Sequence, residues 1–313
     1  MEKDLSHGAS VGNRGRLQFS RFINFIGPLL GLLFVMGVFC ANNEVRPFFL
    51  TGANFKIILT QTVIVAICAL GMTMIIISGG IDLSIGSGVA LTSVVGATLI
   101  LKSYPPAMVV MLTVLTGGFI GLINGGIIAG FRMMPFIVTL GMMGIARGSA
   151  KWIGKNQTVN YPDSPLNKIM ALESPQSLFP LPMGVWIAIG SNELAARLSG
   201  IRVRMHKAII YSVAGLFFGL AGLMQLSRLT QGDPSVAIGL ELDVIAAVVI
   251  GGASLNGGSG SILGSMIGAL IMAVLRNGSS QSGWPTYMQE IIIGIVIILA
   301  VGLDKLRQSR AKT

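Results

Sequence analysis

The sequence predicts an all-α fold, a polytopic bundle of membrane helices with about nine apolar segments visible and ten expected. Hydrophobic residues fill 52% of the 313 positions and charged residues only 11%, whereas a soluble globular domain carries about 25%. Apolar runs recur at lengths that can cross about 30 Å of hydrocarbon. The net charge of +10, from 22 basic against 12 acidic residues, is concentrated at a few polar ends. That pattern orients a chain in a bilayer and gives no reason to expect nucleic acid as a partner.

The basic clusters are Lys3, Arg14, Arg16 and Arg21, then Arg197, Arg202, Arg204 and Lys207, then Lys305, Arg307, Arg310 and Lys312. All three are expected on the cytoplasmic side, with both termini there. Residues 1–21 read as a polar cytoplasmic tail, 22–304 as the membrane domain and 305–313 as a basic cytoplasmic tail.

Phe22–Ala41 is the first candidate span. A cleaved leader ending before Cys40 competes with it, but Phe39 is too large for a small-residue cleavage site, so an uncleaved span is expected. Lys56–Ile77, Leu83–Leu101, Ala107–Gly130, Met134–Ala150, Ala208–Leu226, Asp243–Ser254, Ser261–Leu275 and Ile291–Leu303 follow. Several are short or broken by glycine, as in re-entrant pieces or helices enclosed by others. The spacings Gly117, Gly121, Gly125 and Gly260, Gly264, Gly268 suit close helix packing. Cys40 and Cys68 lie in apolar runs and read as packing residues.

Residues 72–100 and 244–272 look alike: each runs apolar, reaches Gly-Gly, passes a short polar link and resumes with glycine-spaced apolar residues. Weak repeats with polar breaks suit a solute path, although a channel or plain glycine richness produces the same look. Asp82 is the sole acidic residue between Glu44 and Asp163, and a carboxylate at membrane depth is a functional candidate. The stronger reading is that Asp82 or Ser84 caps the helix that resumes at Ile85. Asn124 and Asn256 share the ambiguity, because an amide bridges helices as readily as it holds a solute hydroxyl.

No catalytic group, metal or cofactor is expected. The chain has no GxxxxGK[ST] loop, and Gly251–Gly260 lacks the lysine of a phosphate cradle. His7 and His206 are the only histidines, too few for a His-based cluster.

The most polar interior stretch is IAIGSNELAARLSGIRVRMHK, residues 187–207. Ser191 or Asn192 can cap a helix whose first turn carries Glu193, with Arg197 one turn on to pair with it. Leu194, Leu198 and Ile201 form a short apolar ridge, and Gly200 is placed to end the helix. On these residues alone, a solvated loop helix lying on the headgroups is the favoured reading.

Four co-linear motifs shift that balance: GMT…GGIDLSIGS (71–87), PFIVTLG (135–141), GSNELAARLSGI (190–201) and ELDVIAAVVIGGASLNGG (241–258). Together they resemble the ribose-type permease subunits of bacterial ABC importers, from about residue 50 to the end. The resemblance implies a bundle of about ten membrane helices in the bacterial inner membrane, paired with a second copy or a paralogous permease. It also implies a periplasmic sugar-binding protein and a separate cytoplasmic ABC ATPase that powers the cycle. By the same resemblance Gly190, Asn192, Glu193, Leu194, Arg197, Leu198, Gly200 and Ile201 belong to the coupling helix that docks on that ATPase. Asp82, Ser84, Asn124 and Asn256 are the candidates for the translocation path. An ATP-independent secondary transporter or channel for a small polar solute is the alternative.

The chain departs from the family pattern in one place. Counting from a cytoplasmic start, Met134–Ala150 runs outward, so residues 151–182 are external, yet the coupling segment must lie inside. Only Met183–Ile189 is available for the return, and it reaches about 10 Å as helix or about 25 Å extended, against about 30 Å of hydrocarbon. A further span is expected near Trp186 to Ala188.

Overall fold

The structure is a computed structural model, and it describes residues 26–170 and 203–311. The coupling segment 190–201 and the short return 183–189 lie outside the described residues. Within them the chain forms α1 (Ile26–Ala41), α2 (Arg46–Phe49), α3 (Gly52–Ile77), α4 (Ile85–Leu101), α5 (Pro106–Phe131) and α6 (Pro135–Ile153). After the undescribed stretch come α7 (Val203–Leu229), α8 (Leu240–Ile250), α9 (Ile262–Gln281) and α10 (Thr286–Ala311). By length and composition α3, α5, α7 and α9 can each cross a membrane, while α1, α4 and α10 carry shorter apolar stretches.

Local chemistry sets the boundaries that the apolar pattern misses. Thr51 Oγ1 accepts from the Asn54 N–H at 3.2 Å, so α3 starts at Gly52, ahead of the expected Lys56. Pro106 and Pro135 sit in the first turns of α5 and α6, where a missing N–H has no helical partner to lose. The expected segment Asp243–Ser254 is shorter and earlier: α8 stops at Ile250, and Gly252 takes a left-handed conformation (φ 91°). Its 11 residues reach about 16 Å, half a crossing. At the other end, α10 begins at Thr286 and continues to Ala311, so most of the stretch read as a tail is helix.

Helix α3 is apolar on every side and forms the centre, with Val63 through Thr73 buried without a break. Helices α5, α6 and α10 turn large apolar side chains outward, including Phe119, Leu122, Phe136, Ile145, Ile295 and Ile298. Such a surface suits a hydrocarbon solvent. The α5 glycines are packing residues: a Cβ at Gly121 would overlap the Tyr211 carbonyl oxygen of α7, and one at Gly117 would overlap that of Gly215. On α9, Gly264 and Gly268 press in the same way on Gly251 and Ala247 of the second repeat.

The loop after α6 is more structured than its polar sequence suggests. Val159–Asn160 (β1) pairs antiparallel with Gln231–Gly232 (β2), followed by a 3₁₀ turn at Pro165–Lys168. Ser227 Oγ, near the end of α7, donates to Leu166 O (2.6 Å) and accepts from the Met170 N–H (3.1 Å). The Tyr161 hydroxyl lies 3.2 Å from Leu226 O and 2.8 Å from Asn167 Oδ1. Burial, with the Asp163 charge adding to it, pushes this hydroxyl up to about 12.

Candidate functional site

The two polar links meet. The Gly258 N–H donates to the Ile77 carbonyl at 2.9 Å, and Gly257 lies so close to Gly79 that a Cβ there would stand 3.1 Å from the Gly79 Cα. Gly257 also has a positive φ of 83°, so only glycine meets both demands without strain. Thr73 Oγ1 of α3 and Ser265 Oγ of α9, 2.8 Å apart, bind the same halves together.

Asp82 occupies the first link and is fully buried. Its Oδ1 accepts from the Ser84 N–H (2.7 Å) and from Ser84 Oγ (2.6 Å), and its Oδ2 accepts from Asn124 Nδ2 (3.3 Å). Asn124 Nδ2 also reaches Ser84 Oγ at 3.0 Å. Three of the four expected path residues thus form one buried cluster between the α3–α4 link and α5. Asn256 is exposed on the second link, its own N–H directed at Ser254 Oγ. Neither Asp82 nor Ser84 caps α4 in the expected way: Ser84 is the N-cap residue but its side chain bonds no first-turn N–H. Asp82 instead folds the link back on itself at Ser84, a local turn that competes with capping.

A second polar site lies between α3, α7, α8 and α9, where a cavity of about 270 Å³ is lined by Gln61, Gln225, Arg228, Asp243 and Arg276 among apolar walls. Asp243 is buried and holds Arg276 through both oxygens, from Nε to Oδ2 (2.5 Å) and from Nη2 to Oδ1 (2.9 Å). An adjoining hollow of about 420 Å³ shares Gln61 and Arg228. None of these five was singled out from the sequence. Gln61 and Gln225 carry no charge to mark them, and Asp243 and Arg276 meet across 33 positions. The available signal was a hydrogen-bonding side chain inside an apolar run.

Broken helices that meet inside an apolar bundle, with a polar cavity elsewhere between its helices, fit a membrane transport protein. The chain belongs to the family described as branched-chain amino acid transport system / permease component, which matches residues 54–178 and 182–301. It is 38% identical to the ribose import permease protein RbsC of Escherichia coli K12 over 302 positions, covering 90% of this chain and 93% of the relative. RbsC of Bacillus subtilis is 36% identical over 310 positions, covering 93% and 95%. The L-arabinose ABC transporter permease protein AraH of Azospirillum brasilense is 33% identical over 288 positions, covering 85% and 84%. No solved structure matches the chain. It is therefore a multi-pass permease component, a transport subunit and not an enzyme.

Proposed function

We propose that the chain is the membrane-spanning subunit of an ATP-driven ABC importer for a monosaccharide or related small polyol. The observation that carries this reading is similarity over 85–93% of the chain, at 33–38% identity, to permeases named for ribose and arabinose. The family description names branched-chain amino acids, but the cavity chemistry favours sugar. Asp243, the one carboxylate among the described lining residues, is already paired with Arg276, so no free carboxylate stands there for the ammonium group of an amino acid.

In this reading the subunit lies in the bacterial inner membrane with both termini inside. It pairs with a second permease copy or a paralogue and receives sugar from a periplasmic binding protein. A separate cytoplasmic ATPase grips residues 190–201. The path runs past the joined links, with Asp82, Ser84 and Asn124 holding its wall and Asn256 beside them.

The test is co-purification of the ATPase with the subunit expressed from its native gene, together with sugar uptake. Leu198→Asp puts a charge in the ridge of Leu194, Leu198 and Ile201, where losing a hot spot costs about 2 kcal/mol or more, roughly thirtyfold in affinity. The variant should insert normally and lose both ATPase and uptake. Undiminished ATPase recovery with Leu198→Asp would refute the coupling assignment.

A further inference from the structure

Three hydrogen-bonding side chains with unused capacity line the cavity between α3, α7, α8 and α9. The Gln61 carbonyl oxygen is buried with no hydrogen-bond partner. The Gln225 side chain, in a residue only 6% exposed, makes no hydrogen bond among the described residues. The Arg228 guanidinium, at the exposed end of α7, has no carboxylate partner among the described residues. By contrast, the neighbouring Asp243 and Arg276 satisfy each other.

These groups specify what fits. Gln61 needs a donor, Arg228 needs acceptors, and the Gln225 amide offers one of each. A hydroxyl is both donor and acceptor, so adjacent hydroxyls on one carbon chain can answer all three. With two guanidinium groups against one carboxylate, the lining carries one net positive charge, which disfavours a cationic solute. A volume of about 270 Å³ is near the lower end of small-molecule sites, about 300 Å³, and has room for a single sugar ring.

We propose that Gln61, Gln225 and Arg228 form a hydroxyl-reading station that holds one monosaccharide, or a polyol of that size, within the permease. The assignment rests on the sugar-permease reading and adds to it where, and through which groups, the subunit touches its solute. The station is distinct from the Asp82 cluster, whose carboxylate oxygens are taken up by Ser84 and Asn124.

The test is ligand-induced stabilisation of the purified protein in nanodiscs, with D-ribose and L-arabinose as probes and L-leucine as the comparison, each up to about 0.1 M. One of the sugars should raise the unfolding temperature of the unaltered protein, and leucine should not. Gln61→Leu and Arg228→Leu should each weaken the apparent sugar affinity about tenfold or more, the worth of one hydrogen bond to a charged or buried group. Arg228→Lys, which keeps the charge, should recover part of it. Stabilisation by leucine and by neither sugar would overturn the sugar reading and this station together. A sugar response that survives undiminished in both leucine variants would overturn the station alone, as would no response to any probe from a protein that imports sugar.

Discussion

Both carboxylate oxygens of Asp82 accept hydrogen bonds from within the chain, and the residue has no exposed surface. Its dominant contribution in this conformation is therefore to hold the α3–α4 link against α5. Asp82→Ala leaves the Ser84 N–H without its acceptor and removes one from the Asn124 amide, at about 1–3 kcal/mol for each buried group left unpaired. The unfolding midpoint in detergent should fall by several degrees. Asp82→Asn, which keeps an oxygen for the Ser84 N–H, should fall less, and equal midpoints for all three proteins would contradict the account. Asp82 was legible in the sequence because a lone carboxylate in an apolar run stands out. Its partner Asn124 was legible as a polar residue but not as a partner, since 42 positions separate the two. Gln61 and Gln225 carried still less signal, because an uncharged amide barely alters the apolar pattern and its meaning depends on which helices meet.

Helices were legible where their apolar character was continuous, and their ends were not, because single side chains set them. Thr51 moved the start of α3, and the Gly251–Gly252 break ended α8 halfway through a crossing. The pairing of the two repeat links could be suspected from their matching Gly-Gly breaks, yet their contact, from Gly258 to Ile77, is a backbone bond that no side chain announces. Glycine spacing was the more reliable guide: the structure supplies facing backbone at Gly117, Gly121, Gly125, Gly264 and Gly268, whereas Gly260 precedes α9 and faces the Ile77 side chain. A comparison on α5 tests this at the scale of one helix pair. Gly121→Val places a side chain against the Tyr211 carbonyl, whereas a Cβ at Gly126 meets nothing within 4 Å. Overpacking costs about 1–3 kcal/mol, so Gly121→Val should lower the unfolding midpoint clearly, and Gly126→Ala should leave it nearly unchanged. If both changes had the same small effect, the α5–α7 contact would not be the close backbone packing that the structure shows.

At the scale of the whole molecule, the ends of the undescribed stretch constrain what must lie between them. The Met170 N–H is bonded to Ser227, at the last turn of α7, whereas the chain re-enters at Val203, the first residue of that same helix. From Val203 to Ser227 is about 36 Å at 1.5 Å per residue, so the intervening chain has to return across the full height of a membrane helix. Even if Met183–Ile189 is extended back to Leu178, the stretch is 12 residues interrupted by Pro180 and Pro182, worth about 18 Å as helix against about 30 Å of hydrocarbon. The alignments with the relatives are longer than the part of this chain they cover, by an amount of similar size. Of 302 positions aligned with RbsC of E. coli, 90% of this chain supplies about 282, so about 20 face no residue here. The B. subtilis and A. brasilense comparisons give about 19 and about 22 by the same reckoning, 93% of 313 against 310 and 85% against 288. The family match itself breaks between residues 178 and 182. About 20 residues is one membrane helix. The native gene is therefore expected to specify about 20 further apolar residues near Trp186 to Ala188, which sequencing that gene checks directly. If the gene encodes the 313 residues as they stand, a reporter fused after Lys207 should report the external side, or α6 should fail to span, and uptake should be absent in either case. Inserting about 20 leucine and alanine residues between Trp186 and Ala188 should then return the reporter to the cytoplasm. A cytoplasmic reporter in the 313-residue protein, with α6 shown to span and sugar uptake intact, would defeat the argument.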